Sequence, residues 1–169
     1  MKGTAFLLDT NVLVDYYCGL RIGHQPARTF IERALSVDAP LFYAIESIKD
    51  AHYLIAAFHK SRARDEGRIL TQAEALAANI AAWGCIEHLQ EIATAVGADL
   101  SDVRLATKLR SIHSDFEDNL IIAAAERAQA DYLVTNDKRL LVHSPVAALS
   151  TEDALALLES GASVHPCRA

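Results

Sequence analysis

The stretch Ala5-Phe6-Leu7-Leu8-Asp9-Thr10-Asn11 indicates the fold most directly, because an apolar run ends on an acidic residue. An apolar run of this kind is typical of a strand buried on both faces of a parallel sheet. In an open parallel sheet, ligands bind in the crevice at the carboxyl ends of the strands. The carboxylate at position 9 is therefore expected to lie where such a fold does its chemistry.

Three later segments also place an acidic residue beside apolar ones. They are Ser47-Ile48-Lys49-Asp50-Ala51, Phe116-Glu117-Asp118-Asn119-Leu120 and Val134-Thr135-Asn136-Asp137-Lys138. Asp137 follows an apolar run and should lie at a strand end, as Asp9 does. Asp118 and Asp50 each share a helix face with apolar residues, so their carboxylates should lean toward the core.

A cluster of these four carboxylates would need a cation. Two unit charges about 4 Å apart repel by about 4 kcal/mol at an effective dielectric constant near 20. A site with oxygen ligands and no Cys or His suits a hard divalent ion, and Mg²⁺ (or Mn²⁺) also bridges to substrate phosphates. Such an ion lowers the pKa of a bound water and neutralises phosphoryl charge, which favours phosphodiester hydrolysis.

Strand and helix patterns alternate along the chain. Strand patterns cover 5–8, 41–45, 132–135 and 146–149, whereas 92–98 fits either a strand or a helix end. Helical patterns cover about 12–18, 26–37, 48–58, 71–83, 101–109, 115–129 and 151–158. The predicted N-caps are Thr71, Ser101, Ser114 in a capping box with Glu117, and either Ser150 or Thr151. The alternation predicts right-handed crossovers and an α/β fold, with a mostly parallel sheet covered on both faces.

Length and hydropathy bound the class of protein. The 169 residues fit a single domain spanning 1–169. No uninterrupted apolar stretch approaches the roughly 20 residues of a membrane span, and no small-residue cleavage site follows the amino terminus. We therefore expect a cytoplasmic protein that does not enter the membrane.

The formal net charge of −6 means that a nucleic-acid partner would have to meet a local basic patch. The best candidate is His59-Lys60-Ser61-Arg62-Ala63-Arg64, in which Lys60, Arg62 and Arg64 are candidate phosphate contacts. The alternative is an ordinary solvated helix end.

Several other polar residues are interpreted structurally. Cys18, Cys85 and Cys167 are odd in number and widely spaced, so we read them as free thiols. No two of the seven His have metal-ligand spacing, and none is assigned a role. Asp115 and Glu117 are explained by capping and by the helix dipole. Asp15, Asp99, Asp102 and Glu126 look like solvated or capping acids.

The chain resembles PIN-domain proteins, most closely the VapC-like ribonuclease toxins of bacterial type II toxin-antitoxin modules. The matching segments are 8–12 (Leu-Asp-Thr-Asn-Val), 118–124 (Asp-Asn-Leu-Ile-Ile-Ala-Ala) and 130–137 (Ala-Asp-Tyr-Leu-Val-Thr-Asn-Asp). The resemblance implies a three-layer α/β/α fold, a metal-dependent endoribonuclease, a homodimer and an antitoxin partner. It also implies that Asp9, Asp118 and Asp137 are catalytic metal ligands, with Asn11 and Thr135 at the positions that orient the first and the last.

The second acidic position departs from the family pattern, which usually has Glu there. Asp50 matches that position, and it is favoured over Glu46, which would lie inside or at the end of the preceding strand. Asn11 has an alternative reading as the N-cap of the first helix.

Two other classes of function compete with a nuclease. A HAD-like phosphatase or a receiver domain also uses an Asp at a strand end, but a HAD nucleophile segment normally reads Asp-x-Asp, and position 11 is Asn. A catalytically silent PIN-fold interaction module is the other alternative. The acids at all four positions weigh against it.

Overall fold

A computed structural model describes residues 3–161, which form five strands and eight helices. The strands are β1 (Phe6–Leu8), β2 (Leu41–Ala44), β3 (Thr94–Val96), β4 (Tyr132–Val134) and β5 (Ala148–Leu149). The helices are α1 (Thr10–Tyr17), α2 (His24–Ser36), α3 (Ser47–Asp65), α4 (Gln72–Ile92), α5 (Leu100–Leu109), α6 (Phe116–Ala128), α7 (Lys138–His143) and α8 (Thr151–Glu159).

All the paired strands are parallel, in the order β3-β2-β1-β4-β5. The first strand is central: Phe6 is in register with Leu41 of β2 on one side and with Tyr132 of β4 on the other. The carboxyl ends of β1, β2 and β4 therefore lie side by side at one edge of the sheet. Chain segments that leave these three ends are brought together by the pairing alone.

Helices cover both faces of the sheet, which confirms the predicted three-layer α/β/α architecture. Phe6 and Leu8 pack on one face against residues of α1, α2 and α8. Leu7 points to the other face, as strand alternation requires, and packs with Ile122 of α6 and Leu109 of α5. A smaller cluster joins α1 to α3 and α4. No helix among residues 3–161 is long and apolar enough to cross a membrane.

The third and fourth helices are longer than their sequence patterns predict. The pattern for α3 stops at about 58 and that for α4 at about 83, but the helices continue to Asp65 and Ile92. In the last turns of α3, Ala63 is buried and lines the same groove as Ala78 of α4. Packing between the two helices thus stabilises the last turns of α3, in which polar residues interrupt the apolar pattern of a helix.

Two of the predicted N-caps are wrong by one or two residues. Asp99, not Ser101, caps α5 in a reciprocal capping box with Asp102. Asp115, not Ser114, caps α6. Both mistakes have the same cause, since Ser and Asp cap about equally well and lie within two residues of each other in both places. The capping box at Thr71 is confirmed, and Ser150 is the cap of α8.

Asp15 is buried, contrary to the expectation of a solvated residue. Its carboxylate accepts a hydrogen bond from Nε of Arg21 at 2.5 Å, and its backbone carbonyl lies 2.9 Å from Nδ1 of His24. A Cβ at Gly23 would overlap the Asp15 carboxylate, so this close approach requires glycine. The cluster closes the turn between α1 and α2. Of the cysteines, Cys18 and Cys85 are free thiols, and Cys167 lies outside the described residues.

Candidate active site

The four predicted acids lie at the start of four helices. Asp9 and Asp137 follow β1 and β4 and occupy the N-cap positions of α1 and α7. Asp50 is in the first turn of α3, which follows β2, and Asp118 is in the first turn of α6, which packs across the sheet. The carboxyl edge of the sheet positions Asp9, Asp137 and Asp50, and the packing of α6 against the sheet positions Asp118.

Asp9 is the most deeply buried of these acids, with 2% of its surface exposed. Burial raises the pKa of this carboxyl to about 6, and the negative charge of Asp118 adds to the rise. The Thr135 hydroxyl, which donates to Oδ2 at 2.7 Å, opposes the rise in pKa, as do the backbone N–H groups of Thr10 and Asn11. Asp9 is therefore a carboxylate whose negative charge is held at a cost in free energy.

Thr135 connects two of the acids, although it was predicted to orient only the last. Its hydroxyl donates to Asp9 and accepts from the backbone N–H of Asp137 at 3.0 Å. The Asp137 carboxylate in turn accepts from the N–H groups of Arg139 and Leu140, which fixes it at the start of α7. That short helix has no clear pattern in the sequence, and buried Leu140 anchors it.

Asp118 interacts by charge with Asp9 and with Asp137. Its side chain is 24% exposed. Burial raises its pKa, the carboxylates of Asp115 and Asp137 raise it further, and His113 and Arg139 oppose them. Asp118 also raises the pKa of Asp9, so it interacts by charge with each of the other two predicted metal ligands.

Asp50 interacts by charge with Glu117, the residue directly before Asp118. Burial raises the pKa of Glu117, and Asp50, Asp115 and Asp118 add to the rise while Lys49 opposes it. Glu117 was predicted to serve a capping box, but Asp115 is the N-cap and accepts from the N–H groups of Glu117 and Asp118. Glu117 is thus a fifth acid near the predicted site, although the sequence pattern suggested only a capping role for it. Its position directly before Asp118 is the feature of the sequence that could have indicated this.

Glu46 and Asn11 differ from their predicted surroundings. Glu46 lies two residues after β2 ends, at the N-cap position of α3, and not inside the strand. The side chain of Asn11 is exposed, and the alternative that it caps α1 is wrong because Asp9 holds that position. What Asn11 contributes to Asp9 is its backbone N–H. Thr10, which the sequence did not single out, donates to buried Ser47 at 2.8 Å and joins the starts of α1 and α3.

The basic run lies at the far end of α3 from Asp50. Lys60 and Arg64 come ten and fourteen residues after it, or about 15 and 21 Å along a helix axis. Arg62 lines a groove of about 410 Å³ between α3 and α4. In that groove, Arg68 is paired with Glu66 and Glu74.

The acids fit a hard divalent cation by their chemistry. Within residues 3–161, no group of three or more His, Cys, Asp or Glu is arranged as a ready metal cage. Mg²⁺ seldom needs one, since it is usually held by one or two carboxylates together with waters and substrate phosphates. The oxygen donors of Asp9, Asp118 and Asp137, which repel one another, match that mode of binding.

A family model for the PIN domain matches residues 5–139. Among solved structures, the chain is similar to VapBC2 from Rickettsia felis bound to a DNA fragment from its promoter, with 12% identity and a TM-score of 0.59 over 87% of this chain and 98% of that one. It is also similar to FitAcB from Neisseria gonorrhoeae, with 16% identity and a TM-score of 0.60 over 86% and 97% of the two chains. A third is PAE2754 from Pyrobaculum aerophilum, with 18% identity and a TM-score of 0.59 over 93% and 90%. The comparison with curated proteins finds no match. At these identities, the similarity to the solved structures shows the fold alone.

Proposed function

The chain belongs to the PIN domain family, and from that premise we propose that it is a metal-dependent endoribonuclease that hydrolyses RNA phosphodiester bonds. The observation that carries the proposal is the burial of Asp9 within the field of a second acid: burial raises the pKa of Asp9 to about 6, and the negative charge of Asp118 adds to the rise. A structural carboxylate is normally neutralised by a basic partner, whereas here a second acid lies beside it. That arrangement supports a site built for a cation. Membership of the PIN domain family excludes the HAD-like phosphatase and the receiver domain as alternative functions.

Each acid has a distinct role in the proposed mechanism. Asp9, Asp118 and Asp137 would hold Mg²⁺ or Mn²⁺, and Thr135 would keep Asp9 and Asp137 in a common orientation through its two hydrogen bonds. When bound, the ion neutralises charge on the phosphate and lowers the pKa of the attacking water. Asp50, beside Glu117, would accept the proton of that water. We also propose that the protein acts in the cytoplasm.

Asp50 should be required for cleavage and Glu46 should not. We expect Asp50→Asn to lower the rate of RNA cleavage about 10²-fold or more, because it removes a proton acceptor. Glu46→Gln should stay within about threefold of the wild type. Cleavage of a labelled RNA in Mn²⁺ measures both, with thermal midpoints as the folding control. An inactive Glu46→Gln variant beside an active Asp50→Asn variant would reverse the assignment. If neither the wild type nor any variant cleaves RNA, the silent interaction module becomes the better reading.

Lys60, Arg62 and Arg64 remain the proposed contacts for RNA phosphates. Lys60 and Arg64 lie about 15 and 21 Å from Asp50 along the axis of α3, a distance that a strand of several nucleotides can span. Arg62 faces the groove in which the charge of Arg68 is already paired. A strand that enters the acidic site could therefore continue over this end of the helix.

Two protein partners are proposed, a second copy of the chain and an antitoxin. A homodimer is supported by an apolar stripe on α4, where Leu76, Ile80 and Trp83 are each about 60% exposed at helical spacing. The antitoxin is supported by the similarity to VapBC2 and FitAcB. A basic side chain of the antitoxin would enter the acidic cluster, and Arg would suit it because its planar fork matches a carboxylate.

Antitoxin and metal should therefore compete. We expect saturation with the cognate antitoxin to weaken Mn²⁺ binding at least about tenfold and to stop RNA cleavage together with it. Calorimetric Mn²⁺ titration of the free and the complexed protein measures this. An antitoxin variant with the inserting Arg replaced by Gln is the matched control and should restore Mn²⁺ binding. A fully inhibited complex that binds Mn²⁺ as tightly as the free protein would show that inhibition blocks RNA elsewhere.

A further inference from the structure

His113 is held in place from two directions in the turn between α5 and α6. Its side chain is 2% exposed, and its ring Nδ1 accepts a hydrogen bond from the backbone N–H of Asp115 at 3.3 Å. Its backbone carbonyl accepts from Nδ2 of Asn119 at 2.9 Å, and Asn119 is itself buried. Both the ring and the backbone of His113 are therefore tied to the first turn of α6.

These contacts decide which ring nitrogen carries the proton. A nitrogen that accepts a hydrogen bond is unprotonated, so the proton of the neutral ring is on Nε2. Nε2 is buried and has no hydrogen-bond partner within residues 3–161. It lies 3.5 Å from Oδ2 of Asp118. A buried N–H without an acceptor is costly, and the Asp118 carboxylate is in place to receive it.

We propose that His113 is a positioning residue for Asp118, an inference that rests on the proposed function of the acidic site. The Nε2–H of His113 donates to Oδ2 of Asp118 and holds that side chain in one rotamer, which leaves the other oxygen, Oδ1, for the metal. The observed separation of 3.5 Å is longer than a charge-assisted hydrogen bond, and a small rotation of Asp118 would shorten it to the usual ~2.8 Å. We expect Asp118 and not His113 to make this movement, because His113 is fixed at both its ring and its backbone.

A neighbour that orients a ligating carboxylate affects metal affinity without touching the metal. Loss of such a partner typically costs about 10- to 100-fold in metal affinity or activity. The assignment revises the prediction from the sequence that no His has a role at the site. Position 113 has no ligand spacing to another His, and only the turn before α6 brings it to Asp118.

The first test is nuclear magnetic resonance of the metal-free protein. Long-range ¹H–¹⁵N correlation should show His113 as the Nε2–H tautomer, and the Nε2 proton resonance should move upfield in Asp118→Asn, which weakens the acceptor. A proton on Nδ1, or an Nε2 resonance unchanged by Asp118→Asn, would overturn the inference. This test requires neither RNA cleavage nor a folded His113 variant.

The second test compares His113→Phe with His113→Gln. Phe keeps a planar ring without a donor, and Gln can present an N–H near the position of Nε2. His113→Phe should weaken Mn²⁺ binding about 10- to 100-fold and lower kcat more than it changes KM, and His113→Gln should recover most of both. His88→Phe is the matched control, since it removes a His that contacts Tyr17 on α1 and should leave Mn²⁺ affinity unchanged.

The outcomes separate the inference from the proposed function. His113→Phe with wild-type Mn²⁺ affinity overturns the inference even if the protein cleaves RNA. A wild-type protein that shows the Nε2–H tautomer and its dependence on Asp118 but cleaves no RNA overturns the proposed function and leaves the contact between His113 and Asp118 in place.

Discussion

Asp9→Asn and Asp118→Asn should each abolish RNA cleavage, with a fall in kcat of about 10²–10³-fold or more. Each change preserves the size of the side chain but removes a negative charge that the bound cation requires, and the loss of one preorganised charged or polar group at a reacting centre has effects of this order. Steady-state cleavage of a labelled RNA in Mg²⁺ and in Mn²⁺ measures the effect. Full activity in either purified variant would show that these acids are not the site.

The same Asp9→Asn variant should be more stable than the wild type in the absence of metal. A pKa raised from 3.8 to about 6 means that the charged form of Asp9 costs the folded state about 3 kcal/mol at neutral pH. Part of this gain is lost, because an amide accepts the hydrogen bond from Thr135 more weakly than a carboxylate does. A net rise of about 1 kcal/mol in the free energy of unfolding is expected from urea denaturation at pH 7.

Asp102→Asn is the matched control for both measurements. Asp102 is also a buried acid, but it accepts two hydrogen bonds from Arg127, at 3.0 and 2.7 Å, and these contacts lower its pKa. Its replacement should reduce the free energy of unfolding and leave RNA cleavage intact. If Asp9→Asn destabilised the protein as Asp102→Asn does, the carboxylate of Asp9 would be a structural partner and not a cation ligand.

Metal affinity and stability should depend on pH in opposite directions. Asp9 binds a cation only when ionised, so Mn²⁺ affinity should fall about tenfold for each pH unit below about 6. The pKa of the folded protein is above the unfolded value of 3.8, so the folded state binds the proton more tightly. The destabilisation caused by the charged Asp9 is therefore fully present above about pH 6 and is relieved as the pH falls toward about 4, by up to about 3 kcal/mol.

Mn²⁺ titrations and urea denaturation of the metal-free protein between pH 5 and 8 check both directions. Asp9→Asn is the control, because its stability should lose this part of the pH dependence. A wild-type Mn²⁺ affinity that stays constant from pH 5 to 8 would contradict the raised pKa of Asp9.

The sequence by itself determined four of the five strands, most of the helices and the family, and it left β3 open between a strand and a helix end. Two apolar runs, 5–8 and 132–135, predict β1 and β4, because a strand buried on both faces of a parallel sheet must be apolar throughout. The acids that follow these runs are predicted at the strand ends, where the chain leaves the core. Thr71 was identified as a cap because its capping box is complete within four residues. Such features depend on residues that are neighbours in the chain.

Only the tertiary structure decided how the acids are connected and which polar residues support them. Thr135 and Asp9 are 126 residues apart, and the pairing of β1 with β4 brings them within 2.7 Å. Glu117 joins the acids, and His113 faces Asp118, because α6 packs across the sheet with its first turn at the carboxyl edge. The pKa of Asp9 has the same origin, since burial depends on residues from every layer of the fold and not on the neighbours of Asp9 in the sequence.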